Sequence, residues 1–185
     1  MAAREFDPFR LDVVAFANEA AHLEGHWPLS QLDRVTDAAV AHPASPEADD
    51  VQWRVHGERR AMRGGEAQTW LHLTASTQVA LECQRCLKPV VVPVQIERDF
   101  LFVQGEDAAA QLDADSDDDV LAITRALDLR ELIEDELLLA LPLVPRHEVC
   151  PQPLPRAFVH VDPAAAPAEH PFAALAVLKQ GSRPN

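Results

Sequence analysis

Two of the three cysteines in this 185-residue chain, Cys83 and Cys86, stand two residues apart in "LECQRCLKPV". A Cys-x-x-Cys pair can hold a metal, shuttle electrons or persist as inert thiols. The third cysteine closes a second pair with the same spacing, His147-x-x-Cys150 in "RHEVC". Two turns of this kind can supply three thiolates and one imidazole, a donor set suited to a tetrahedral structural zinc. Cys83, Cys86, His147 and Cys150 are therefore the candidate metal ligands. An odd number of cysteines favours thiols or metal ligands over a disulfide framework. A redox pair needs a helix N-terminus in a βαβ setting to lower its thiol pKa. Here the pair sits between two β-patterned segments, with Pro89 following. The two pairs are far apart in the sequence, so spacing alone leaves zinc, inert thiols and redox chemistry open.

Catalytic signatures are otherwise missing. The chain has no P-loop, no dinucleotide-binding glycine fingerprint, no zinc-protease helix motif and no nucleophile elbow. Its six glycines leave few loops able to cradle a phosphate. Glu131, Glu134, Asp135 and Glu136 form an acidic run, which reads as an exposed face near a helix N-terminus, where negative charge is favoured.

The ligand pairs must be positioned by the surrounding elements. "VQWRVHGE" alternates, with Val51, Trp53 and Val55 on one side. "TWLHLTASTQVALEC" alternates for longer and puts Leu71, Leu73, Ala75, Thr77, Val79 and Leu81 on one face. "VVVPVQIERDFLFV" repeats the pattern. A period of two over such lengths predicts half-buried strands. Pro93 within the last marks an edge or a bulge, and Gly64-Gly65 fits a turn between the earlier two. "AHLEGHWPL" predicts a short strand before them, and "PFRLDVVAFANEAA" a helix. Strands in succession without helices between them imply an antiparallel sheet. "PLSQLDRVTDAAVAHP" predicts a helix capped by Ser30 and stopped by Pro43. "DLRELIEDELLLALP" predicts another, capped by Asp128, with Leu129, Leu132, Ile133, Leu137 and Ala140 as its buried stripe.

The expected fold is α+β: an antiparallel sheet or partly closed barrel packed with a few helices. Residues 1–150 form the expected single domain. Within it, "QGEDAAAQLDADSDDDV" is acidic and poor in large apolar residues, so about residues 104–119 read as a mobile loop. It lacks the spacing of a calcium loop. Residues 151–185 read as a Pro/Ala-rich extended tail with a short terminal helix over 172–179.

The net charge is −14, but it is unevenly placed. Between Arg54 and Arg98, seven basic residues face four acids, giving +3, while the remainder carries 26 acids against 9 bases, giving −17. Arg54, Arg59, Arg60, Arg63, Arg85 and Lys88 are therefore the candidate RNA contacts, with His56 and Trp53 beside Arg54 as groups that can stack on bases. Ordinary surface charge explains the same residues. No apolar run approaches the ~18 residues of a membrane span. The N-terminus "MAAREFDPFR" lacks the apolar core of a signal peptide, so a cytoplasmic protein is expected.

"LECQRCLKPV" followed by "DLRELIEDELLLALPLVPRHEVC" resembles the YceD family, the large ribosomal RNA subunit accumulation proteins. "LEGHWPLSQLDRV" and the tail "HPFAALAVLK" are also similar to the family pattern. The resemblance covers about residues 20–150, with an echo at the end. It implies a non-catalytic role in synthesis, processing or stability of the large-subunit (23S) ribosomal RNA, in the bacterial cytoplasm. No enzymatic activity is implied, and no membrane or DNA partner. Some relatives carry a second cysteine pair where this chain has His147 and Cys150. The partners that follow are a large-subunit ribosomal RNA precursor, a basic ribosomal protein, or both. One reading is an assembly factor that touches RNA through its basic segment. The alternative is an acidic chaperone or adaptor that holds a basic ribosomal protein against its 106–119 segment. The only cofactor in prospect is one structural zinc.

Overall fold

The computed structural model describes residues 4–41 and 50–152. Pro43, the 172–179 helix and all but the first two residues of the expected tail lie outside them.

Five strands form one open sheet in the order β1-β2-β3-β4-β5: His22–Pro28, Asp50–Arg60, Gln68–Glu82, Pro89–Val103 and Asp119–Ala122. The first four pair antiparallel in sequence order. β5 pairs parallel with β4, so the sheet is mixed and not closed. A parallel neighbour needs a crossover, and α1–α4 include one. They are α1 (Val13–Asn18), α2 (Asp33–Ala38), α3 (Glu106–Asp115) and α4 (Leu129–Ala140), and α3 links β4 to β5.

The segment expected to be a mobile acidic loop is thus helix α3 followed by β5. Its apolar anchors are few. Ala109 and Val120 pack with Trp70 and Leu101 in a small cluster. That cluster is on the sheet face away from the main core.

The main core lies on the other face. Val51, Val55, Leu71, Leu73, Val79, Val94 and Phe100 face Phe16 of α1, Val35 of α2, and Leu129, Ile133 and Leu137 of α4. The period-two readings of β2 and β3 therefore hold residue by residue. Gly57 permits the close approach of α1: a Cβ there would meet Phe16 Cδ1 at 2.7 Å and the Ala17 backbone at 2.9 Å. Pro93 keeps its place in the ladder, opposite Gln78. β5 reaches only Phe100–Val103, so Pro93 lies on the free edge of β4 and its missing N–H costs no pairing.

The N-terminal helices are shorter than their sequence patterns suggest. Asp12 caps α1 by accepting the Ala15 N–H at 3.0 Å. Leu29–Gln31 makes a 3-10 turn, and α2 starts only at Asp33. Leu32 stands at its N-cap and offers no oxygen, so Ser30 is not the cap. Asp128 does cap α4, accepting from the Arg130 and Glu131 N–H groups at 2.9 and 3.3 Å. In its stripe Leu129, Ile133 and Leu137 are buried, whereas Ala140 is exposed.

Candidate functional site

The β3–β4 connection runs from Cys83 to Lys88. The Cys83 N–H donates to the Lys88 carbonyl at 3.0 Å, and the Leu87 N–H donates to the Cys83 carbonyl at 2.8 Å. Leu87 adopts φ 57, a left-handed conformation unfavourable for a branched side chain. Such strain persists where surrounding structure demands it, often at ligand clamps. Here it folds the turn so that both sulfurs face one point.

The second pair arrives on the segment leaving α4. The Gln84 N–H donates to the Pro145 carbonyl at 2.9 Å and fastens that segment against the turn. The His147 N–H approaches Cys83 Sγ at 3.5 Å, and His147 Nδ1 lies 3.5 Å from Cys86 Sγ. The ligand atoms of Cys83, Cys86, His147 and Cys150 all lie within 4.8 Å of one another. A tetrahedral zinc with Zn–S near ~2.3 Å spaces its ligand atoms by about 3.8 Å. Small side-chain movements therefore close the group around an ion. Cys83 is fully buried and the other three are half-buried. This Cys3His group can hold a metal.

The electrostatics suit thiolate ligands. Burial pushes the Cys83 thiol up, but the backbone N–H groups of His147, Arg85 and Cys86 outweigh it and bring the thiol down to about 5. Burial holds Cys86 above the ordinary thiol range, and the neighbouring Cys150 and Cys83 sulfurs add to the effect.

The six candidate RNA contacts do not come together. Arg85 and Lys88 lie on the β3–β4 turn, whereas Arg59, Arg60 and Arg63 lie around the β2–β3 turn. These turns close opposite ends of β3, about 45–50 Å apart along the strand. Arg54 sits mid-strand and pairs with Glu24 at 3.1 Å. Arg60 pairs with Glu58 at 3.0 Å and lies over the Trp70 ring at 4.4 Å. Arg59 donates to the Thr69 hydroxyl. Arg63 and Lys88 are exposed.

The sheet face away from the main core is polar across four strands. One row reads His22, His56, His72 and Asp99, and the next reads Glu24, Arg54, Thr74 and Glu97. An open hollow of about 1010 Å³ includes Glu24, Asp50, Arg54 and Glu97 in its lining. His56 was expected to work with Trp53, but they point to opposite faces. Trp53 stacks on Trp27 in the core, while His56 stacks on His72.

His72 is held between carboxylates, with Nδ1 2.6 Å from Asp99 and Nε2 2.9 Å from Glu58. Burial alone would lower its pKa, but these two partners raise it above 6.5. A raised folded-state pKa adds stability that is complete below the unfolded value and lost as pH rises through the folded one. The urea midpoint should therefore fall as pH rises past the ordinary histidine pKa of about 6.5, and His72→Gln should flatten that fall. Equal slopes for the two proteins would contradict the assignment.

Two acids expected to be exposed have other roles. Glu134 and Glu136 are each only 8% exposed. Glu134 accepts the Arg34 Nε–H at 3.0 Å, and Glu136 accepts that of Arg98 at 3.0 Å. Arg34 also pairs with Asp135. These contacts fasten α4 to α2 and to β4. Their only sequence signal is weak: Arg98 interrupts the inward row of β4, where a partner is needed.

Among the described residues, no helix is long and apolar enough to cross a membrane. No solved structure matches the chain. The family model described as "Large ribosomal RNA subunit accumulation protein YceD" matches residues 71–179, more than half of the chain, and that stretch contains all four Cys3His residues. The Large ribosomal RNA subunit accumulation protein YceD of Haemophilus influenzae is 30% identical over 178 residues, which cover 94% of this chain and 96% of that protein. The chain belongs to the YceD family.

Proposed function

We propose that this protein is a non-catalytic factor of large-subunit ribosome biogenesis, acting in the cytoplasm on the synthesis, processing or stability of 23S ribosomal RNA. The single observation that carries this reading is the end-to-end similarity to a protein named for large ribosomal RNA subunit accumulation. The Cys3His corner serves architecture: one zinc there ties the β3–β4 turn to the segment leaving α4. The β2–β3 turn, which carries the exposed Arg63, is the best-placed phosphate contact. Arg54, Arg59, Arg60 and Arg85 contribute less, since each already has partners.

Capture of the tagged protein from cells, with identification of the RNA and proteins that accompany it, tests the role. Free large-subunit precursors are expected. A single basic ribosomal protein without RNA would favour the adaptor reading, which has its own support in the excess of Glu24, Asp50 and Glu97 over Arg54 in the hollow. Neither partner would overturn both readings. On the RNA reading, Arg63→Gln should weaken ribosomal RNA binding and reduce its salt slope by about 1. A slope unchanged by Arg63→Gln would remove the hairpin from the interface.

A further inference from the structure

We propose that Arg85 is the outer clamp and counter-cation of the Cys3His centre, not a phosphate contact. The inference rests on the zinc reading above and adds a fifth residue to the site. Arg85 lies between the two cysteines of the first turn, yet its guanidinium serves the second. Its Nε–H donates to Cys150 Sγ at 3.0 Å. Its Nη2 donates to the carbonyls of His147 and Glu148 at 3.0 and 3.1 Å. Three contacts spread over four residues fix the path from His147 to Cys150. A residue of the first turn thus holds the segment that carries the second pair.

Charge gives the arrangement a purpose. Three thiolates and a neutral imidazole around a dication leave one negative charge. A guanidinium against Cys150 cancels it, and its N–H bond stabilises the thiolate at that corner. Lysine keeps the charge but lacks the planar fork that reaches one sulfur and two carbonyls together. With Nε and Nη2 engaged on this centre, little of the fork is left to grip a phosphate.

Zinc affinity, measured by chelator competition on the full chain, tests the proposal alongside the spectrum of the cobalt-loaded protein. Arg85→Gln should weaken zinc binding by about 10–100-fold, and Arg85→Lys should recover part of that loss. The thiolate-to-cobalt charge-transfer band should shift in Arg85→Gln, because Cys150 loses its N–H donor. A residue that only supported the fold would leave that band in place. Ribosomal RNA binding by Arg85→Gln should keep its salt slope; a slope lowered by about 1 would make Arg85 a phosphate contact and overturn the proposal. So would wild-type zinc affinity and an unshifted band. If Arg85→Gln does not fold, Arg85→Lys alone decides: affinity and band equal to wild type overturn the proposal, and a weakened, shifted centre supports it. Absence of zinc from the wild-type protein would sink the metal reading and this inference together. Zinc in wild type with indifferent Arg85 variants would sink this inference alone.

Discussion

Cys83→Ser should abolish stoichiometric zinc and lower the melting temperature by about 8–16 °C relative to the zinc-loaded protein. Cys83 is the most buried of the four candidate ligands and accepts the His147 N–H. A metal that binds only the folded chain adds stability by mass action, about 4 kcal/mol when free metal exceeds its dissociation constant a thousandfold. For a chain of this size each kcal/mol moves the melting temperature by about 2–4 °C. The effect should stop short of complete unfolding, because the main core of β1–β4 with α1, α2 and α4 needs no metal. Chelation of wild-type zinc should reproduce the shift, and chelator should do nothing further to Cys83→Ser. A wild-type protein purified without chelator, zinc-free and indifferent to added zinc, would leave the four groups as inert thiols. Disulfide reductase activity lost in both Cys83→Ser and Cys86→Ser would instead revive the redox reading.

The convergence of the three cysteines and His147 could be read from the sequence because its signal is local twice over: two pairs with the same spacing, each at the end of a recognisable element. The strands were legible for a similar reason. Leu71 to Leu81 alternate without interruption, and burial follows that alternation. α3 was missed because only Ala109 of its ten residues is buried, so an acidic helix and an acidic loop have the same composition. β5 was missed with it, since its four residues are too few to show a period. The role of Arg85 was hidden for another reason. A basic residue in a basic segment suggests an anion outside the protein, and only the fold brings Cys150 and two carbonyls to it. Glu134 and Glu136 present the same difficulty in reverse. Their neighbours in sequence are acidic, and their partners are an arginine in α2 and one in β4.

Glu134→Ala should cost about 1–3 kcal/mol, a large effect for a charged residue. α2 starts without a side-chain cap of its own, because Leu32 occupies the capping position. Glu134 fills that role from α4, a hundred residues away. Its Oε1 accepts the Arg34 N–H at 2.7 Å and the Val35 N–H at 3.4 Å, the two amides an N-cap side chain would serve. Its Oε2 takes the Arg34 guanidinium. The nearby Asp135 and Glu134 carboxylates hold the Arg34 pKa above its ordinary value. Truncation takes the acceptor from both amides, a loss of about 0.5–2 kcal/mol for an exposed cap and about 1–3 kcal/mol where the amides are buried, as Val35 is. Glu134→Gln keeps an oxygen for the amides and should cost less. Arg34→Ala spares the cap and loses only a half-exposed ion pair, so it should cost about 0–1 kcal/mol. Urea denaturation of the three variants checks the order. If Arg34→Ala cost as much as Glu134→Ala, the ion pair and not the cap would be the working contact. If Glu134→Ala were neutral, α2 would need no cap and its anchorage would rest on Leu32 and Val35 alone. The expected order would mean that α4 is fastened by polar contacts along its length: by Glu134 to α2, by Glu136 to Arg98, and just past its end by the cysteine corner. Each contact joins α4 to a different element, so loss of one should loosen its own part of the fold and leave the strand register intact.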